Sequence, residues 1–140
     1  RMDVHSLSGQ LLLIDDSYNA NIDSVTAALV ALKQLAEGRR KVFVAGQMLE
    51  LGDTSEQVHT RTAELAHEAG VSDILAIGEA ARPLARRARE LGIATTYVDD
   101  ADQALAMIDQ IVADFDAVLV KGSHSSGAWR IADYLKEVRA

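Results

Sequence analysis

Leu11, Leu12, Leu13 and Ile14 make an apolar run of strand length that stops abruptly at Asp15 and Asp16. Ser17, Tyr18, Asn19, Ala20 and Asn21 come next, and a helical pattern takes over from Ile22. A strand without polar alternation is one covered on both faces, the state of strands in a parallel sheet flanked by helices. In open sheets of that kind, ligands bind in the crevice beyond the carboxyl ends of the strands. The string after Ile14 therefore falls where such a fold keeps its chemistry.

The rest of the chain repeats this grammar. Short apolar spans at 41–45, 73–77, 94–98 and 117–120 end at Gly46, Gly78, Asp99-Asp100 and Lys121-Gly122. Helical spans run from 22 to a stop at Gly38, then over 55–69, 80–91, 101–112 and 126–138. Val25, Leu29, Leu32 and Leu35 recur at helical spacing in the first, with Asp23 and Ser24 as candidate caps. Ser8-Gly9 is a turn signal that folds 2–7 onto 10–15 as an antiparallel hairpin. Strands alternating with helices predict an α/β fold. Its sheet is doubly wound, mostly parallel and Rossmann-like, with an N-terminal antiparallel hairpin, in three αβα layers. The 140 residues fit a single domain. Aromatics at 4% leave the core to Leu, Ile, Val and Ala, with Trp129 expected inside it.

Charge and composition narrow the function. With 21 acidic against 14 basic residues, the chain repels a phosphate backbone, so nucleic-acid binding is not expected. It has no cysteine, which removes disulfides and thiolate metal sites. No apolar run approaches the ~20 residues that span a bilayer. No basic segment leads into an apolar one, as it would in a signal peptide. A cytoplasmic, membrane-free, monomeric protein is expected. Neither Gly-x-x-x-x-Gly-Lys-Ser/Thr nor Gly-x-Gly-x-x-Gly occurs, so a phosphate-cradling loop would have to come from another domain. A chain that starts at Arg1 rather than Met is expected to be one domain of a longer protein.

Three strand ends carry candidate chemistry. Alternation sends Asp15 and Asp16 to opposite sides, so one can reach the crevice while the other braces the strand end. Carboxylates in that position accept from ribose hydroxyls or hold a divalent metal; they also serve as plain caps. The string Gly46-Gln47-Met48-Leu49-Glu50-Leu51-Gly52 has two readings. It is a substrate-facing loop, or a connection with Met48, Leu49 and Leu51 tucked into the core. His59 follows it without a second ligand at metal spacing, and reads as a packed or capping residue. At the last strand end, Lys121 and Ser123 place a cation and a hydroxyl near a helix start, which suits a carboxylate. The structural alternative is a Lys121 paired to Asp15 or Asp16. Asp99-Asp100 reads as a helix cap, and Arg82, Arg86, Arg87 and Arg89 as a solvated helix face.

These strings together resemble the C-terminal domain of the Mur ligases, and within them the D-alanyl-D-alanine-adding branch. Asp15-Asp16-Ser17-Tyr18-Asn19-Ala20-Asn21 is similar to that branch's strand-end motif, with Ile22 where the family usually has Pro. The family reads Gly-Asp-Met-Leu-Glu-Leu-Gly where this chain has Gln47 in place of the Asp. Val120-Lys121-Gly122-Ser123 matches its last strand end. The resemblance implies ATP-side contacts from Asp16, Arg1, Tyr18 and Asn19. It implies substrate-side contacts from Asn21, Lys121 and Ser123, with His124, Ser125 and Ser126 beside them. It implies no catalytic residue and no metal ligand in this stretch: ATP and Mg2+ would be bound mainly by a central domain. The partners implied are UDP-N-acetylmuramoyl-tripeptide, D-alanyl-D-alanine, and the central and N-terminal domains of the same chain. The reaction implied passes through an acyl phosphate, shielded from water when the domains close.

A phospho-receiver signalling domain is the rival. It shares an acidic pair after an early strand and a Lys after a late one. It needs a phosphate-accepting Asp at its third strand end, where Gly46 and Gly78 are the candidates here.

Overall fold

A computed structural model describes residues 2–140. Arg1, assigned above to the nucleotide, lies outside the described residues. The chain forms β1 (Asp3–Leu7), β2 (Leu11–Asp15), α1 (Ile22–Leu35), β3 (Lys41–Gly46), α2 (Ser55–Glu68) and β4 (Asp73–Ile77). It continues with α3 (Arg82–Glu90), β5 (Ala94–Val98), α4 (Ala101–Ile111), β6 (Ala117–Lys121) and α5 (Ala128–Val138). The sheet order is β1-β2-β6-β3-β4-β5. Among the described residues only β1 runs antiparallel, against β2; every other pair is parallel.

Strand alternation divides the core into two layers. Ile14, Phe43, Ala45, Ile74, Ala76 and Leu119 face α1, α2 and α3. Leu13, Val42, Val44, Leu75, Val118 and Val120 face α4 and α5. The helices meet the sheet through small residues, such as Ala63, Ala66, Ala85 and Ala88, all buried. That close approach compensates for the shortage of aromatic side chains. Truncating one of the larger side chains at the centre, Leu119→Ala for example, opens a cavity costing about 2–5 kcal/mol.

The placement of β6 creates the crevice. Helices α1 and α2, which follow β2 and β3, lie on one face of the sheet. Helix α5, which follows β6, lies on the other. β6 sits between β2 and β3, so the chain leaves neighbouring strands in opposite directions on both its sides. That is the topological condition for a ligand site at the carboxyl ends.

Three expectations need correction. Helix α1 is capped by Asn21, not by Asp23 or Ser24: Asn21 Oδ1 accepts from Ser24 N at 2.9 Å, and Ser24 Oγ accepts from Asn21 N at 3.1 Å. The reciprocal pair satisfies two orphan donors of the first turn. Leu35, read as the end of the buried stripe, is 49% exposed, and the core position is Ala36 instead. Trp129 is not in the core; it stands half-buried at the start of α5.

Candidate functional site

The register of β2 on β6 pairs Asp15 with Val120, which sets the next residues, Asp16 and Lys121, side by side. Asp16 N donates to Val120 O at 3.0 Å and extends the ladder. Lys121 Nζ donates to Asp16 Oδ2 at 2.9 Å, to Asn19 O at 2.9 Å and to Asp16 O at 3.3 Å. Lys121 is only 3% exposed and Asp16 6%. An ammonium has three hydrogens, and here each has an acceptor. The structural alternative weighed for Lys121 is therefore present. A buried ammonium committed in this way is not free to meet a substrate carboxylate.

Asp15 points to the other face, as alternation requires. It accepts from Lys136 Nζ on α5 at 2.7 Å and from Ser17 Oγ at 2.5 Å. Burial is the largest single influence on its carboxyl and disfavours ionisation. The bonds from Lys136 and Ser17 together outweigh it, so the pKa lies below the ordinary 3.8. Asp15 also lines a cleft of about 610 Å³ with Asp3, Ser17, Tyr18, His124, Trp129 and Asp133. Of the acidic pair, it is Asp15 that borders this cleft, while Asp16 is locked to Lys121. The rings of His124 and Trp129 stack in one wall, 5.4 Å apart and nearly parallel. Trp129 Nε1 donates to His124 O at 3.1 Å and fixes its own ring. Sequence reasoning missed this wall because size and hydropathy favoured a buried Trp.

Tyr18, assigned to the nucleotide, is 75% exposed on the rim. Asn19 accepts from Ala20 N through Oδ1 at 2.9 Å, and its backbone carbonyl accepts from Lys121 Nζ. Asn21, assigned to substrate, spends its Oδ1 on the helix cap.

The 46–52 loop is held from three sides. Gln47 reaches over Gly78, and its Oε1 accepts from Ala80 N at 2.9 Å. The Gln47 side chain thereby ties the ends of β3 and β4 together, and an uncharged carboxamide suffices. Met48 is buried and Leu51 packs at the core edge, as in the second of the two readings, but Leu49 is 38% exposed and departs from it. His59 is fully buried, and its Nε2 accepts from Met48 N at 3.0 Å. Its Nδ1 lies 2.8 Å from Ser55 O, which makes Nδ1 the protonated nitrogen. Burial depresses the His59 pKa below 6.5, opposed only by the Ser55 carbonyl.

Ser123 closes the loop from the β6 side. Its N donates to Gln47 O at 3.0 Å, and its Oγ accepts from Leu49 N at 3.0 Å. Beneath them the floor is backbone. A Cβ on Gly122 would stand 2.6 Å from Gly46 Cα and 2.8 Å from Ser126 Oγ, so no side chain fits between β3 and β6. Gly46 ends β3 and Gly78 follows β4, neither with a carboxylate, which leaves no phosphate acceptor where a receiver domain needs one.

The basic residues of α3 are mostly occupied. Arg87 pairs with Glu64 and Glu90, and Arg82 lies 4.4 Å over the Tyr97 ring and 3.4 Å from Asp99. Asp100 caps α4 through Gln103 N at 2.9 Å, as expected. Among the described residues, no group of three or more His, Asp or Glu is placed to hold a metal ion. No helix among them is long and apolar enough to cross a membrane.

A doubly wound sheet with an acidic pair, a Lys-Gly-Ser strand end and a glycine-bounded loop on one rim defines a Mur ligase carboxyl-terminal domain. The chain belongs to that family: the model described as Mur ligase, glutamate ligase domain, matches residues 1–124. Within the family it is similar to the UDP-N-acetylmuramoyl-tripeptide--D-alanyl-D-alanine ligase of Mycobacterium leprae, 36% identical over 96% of this chain and 29% of that protein. A crystal structure of MurF from Acinetobacter baumannii superposes with a TM-score of 0.84 and 28% identity, covering 98% of this chain and 30% of that one. The MurF of Thermotoga maritima, solved in complex with ADP, shares the fold at a TM-score of 0.73 and 23% identity, over 96% of this chain and 30% of its own. The chain thus spans about three tenths of the length of the relatives it matches.

Proposed function

We propose that this chain is the carboxyl-terminal domain of an ATP-dependent amide ligase that joins D-alanyl-D-alanine to UDP-N-acetylmuramoyl-tripeptide in peptidoglycan precursor synthesis. The observation that carries the reading is the convergence of three family strings, 15–21, 46–52 and 118–123, on one rim around β6. In a full-length chain, ATP would activate the tripeptide carboxylate as an acyl phosphate, and the dipeptide amine would displace the phosphate. No group of three or more His, Asp or Glu among the described residues is placed to hold a metal ion, and we assign Mg2+ mainly to the other domains. The described residues do fit the sugar end of a nucleotide. Asp16, fixed at the carboxyl end of β2 by Lys121 Nζ at 2.9 Å, and the exposed Tyr18 two residues further on support that reading.

The roles differ from those assigned by the sequence. Lys121 acts on the nucleotide side, by orienting Asp16. Ser123 remains the dipeptide contact, because its hydroxyl hydrogen meets no acceptor among the described residues. Asp15 and Lys136 join the strand end to α5 and shape the cleft floor. When the full-length domains close over this rim, water is excluded from a hydrolysable intermediate.

The test is phosphate release by the full-length protein supplied with ATP, UDP-N-acetylmuramoyl-tripeptide and D-alanyl-D-alanine. Release that depends on both the tripeptide and the dipeptide is expected. Release that ignores the dipeptide would end the proposal. This domain alone is expected to release none.

A further inference from the structure

A buried histidine on α2 stands behind the half-buried Ser123 hydroxyl at the rim, connected to it by two successive backbone amides. Nε2 of His59 takes the Met48 N–H, and the next amide, Leu49 N–H, goes to Ser123 Oγ. A serine hydroxyl has two lone pairs and one hydrogen. With Leu49 N–H on one lone pair and no acceptor for the hydrogen among the described residues, the oxygen is oriented and its hydrogen is left to donate. Without His59 the Met48 amide would be buried and unpaired, at a cost the loop would relieve by turning. A turn at Met48 would carry the adjacent Leu49 amide away from Ser123. Glu50, next in line, holds a left-handed φ of 64°, so the loop stores strain that these two bonds resist.

We infer that His59 is a positioning residue for the acceptor substrate: by holding the Met48 amide it fixes the 46–52 loop so that Leu49 orients Ser123 Oγ, whose hydroxyl donates to the dipeptide carboxylate. The inference rests on the reading of Ser123 as a dipeptide contact. His59 itself touches no substrate. Its action is carried through the backbone of Met48 and Leu49, so it belongs to the binding of the dipeptide and not of ATP.

The experiment is a double-mutant cycle in the full-length ligase, with the KM values for D-alanyl-D-alanine and for ATP read separately. Ser123→Ala is expected to raise the dipeptide KM roughly tenfold, the loss of one hydrogen bond to a charged group. His59→Leu, which keeps volume and loses both ring bonds, is expected to raise it by a similar factor with the ATP KM unchanged. In the Ser123→Ala background, His59→Leu is expected to add nothing. His59→Gln, whose carboxamide oxygen can stand in for Nε2, is expected to recover most of the loss. Should His59→Leu fail to fold, His59→Asn replaces it, because a shorter amide can keep the Ser55 carbonyl while losing Met48. A lower melting temperature with the dipeptide KM unchanged would overturn the positioning role and leave Ser123 standing. Full additivity with Ser123→Ala, or an equal rise in both KM values, would overturn it as well. An unchanged dipeptide KM in Ser123→Ala alone would remove the Ser123 reading and this inference with it.

Discussion

The two ends of the sheet carry similar charges and use them differently. At the amino ends, Arg40 spans Asp116 at 2.6 Å and Asp73 at 2.7 Å, and donates to Ile111 O. Arg39 lies 4.3 Å over the Phe115 ring, and Arg139 pairs with Asp114. Those groups are matched with one another and half open to water. At the carboxyl ends the pair Asp16–Lys121 is sunk out of solvent, while Ser123, Tyr18 and the His124–Trp129 wall face outward with capacity to spare. One rim fastens the strands together. The other buries its fastening and keeps its surface for something else.

The largest effect that could break this contrast is at the buried pair. Lys121→Ala breaks a buried ion pair and removes three hydrogen bonds at the strand end, a loss of about 3–5 kcal/mol. Urea unfolding of this domain measures it, and a loss below ~1 kcal/mol would mean that the two rims are alike. Arg40→Ala comes next. Its side chain is 37% exposed, so solvent already screens the pairs it makes, and a loss of about 1–2 kcal/mol is expected by the same measurement.

His59 gives a smaller effect with a defined sign. Its folded pKa lies below 6.5, so the neutral ring is the one the fold prefers. Its contribution is complete above pH 6.5. Below that the unfolded chain takes up a proton that the folded one refuses, and stability falls until the folded pKa is reached. The slope cannot exceed ~1.4 kcal/mol per pH unit for one group. Unfolding curves between pH 7 and 5, for wild type and His59→Gln, should differ by that slope, and parallel curves would refute the assignment. Ser123→Ala should be the mildest, within about 0.5 kcal/mol, since its bond to Leu49 N lies at the surface. A larger loss would move Ser123 from the binding group to the fastening one.

Much of the sheet was legible because each strand is a short apolar run bounded by Gly or Asp, and the hydrophobic period leaves little choice. The identity of the rim was legible too, since Asp16 and Lys121 both follow runs of that type. What the sequence withheld was register. Which residue of β2 meets which of β6 is set by packing across more than 100 residues of intervening chain. The pairing of Lys121 could therefore be framed only as an alternative. Asn21, Asp23 and Ser24 are all competent caps, and backbone geometry alone decides among them. The half-buried Trp129 was misjudged because helical spacing identifies a face but not whether that face runs past the edge of the sheet.

The position of β6 also has a consequence for how the chain reaches its native state. Residues 117–121 are the last strand made, yet they lie between β2 and β3 in the finished sheet. During vectorial synthesis the hairpin β1-β2 and the unit β3-β4-β5 can each pair internally, but they share no edge. Both must wait with an open side until more than four fifths of the domain has emerged. Contacts of such long sequence separation slow folding and leave strand edges exposed to other chains. A nascent chain arrested before Lys121 should accordingly be sensitive to protease and prone to aggregate, and extension through α5 should abolish both properties together.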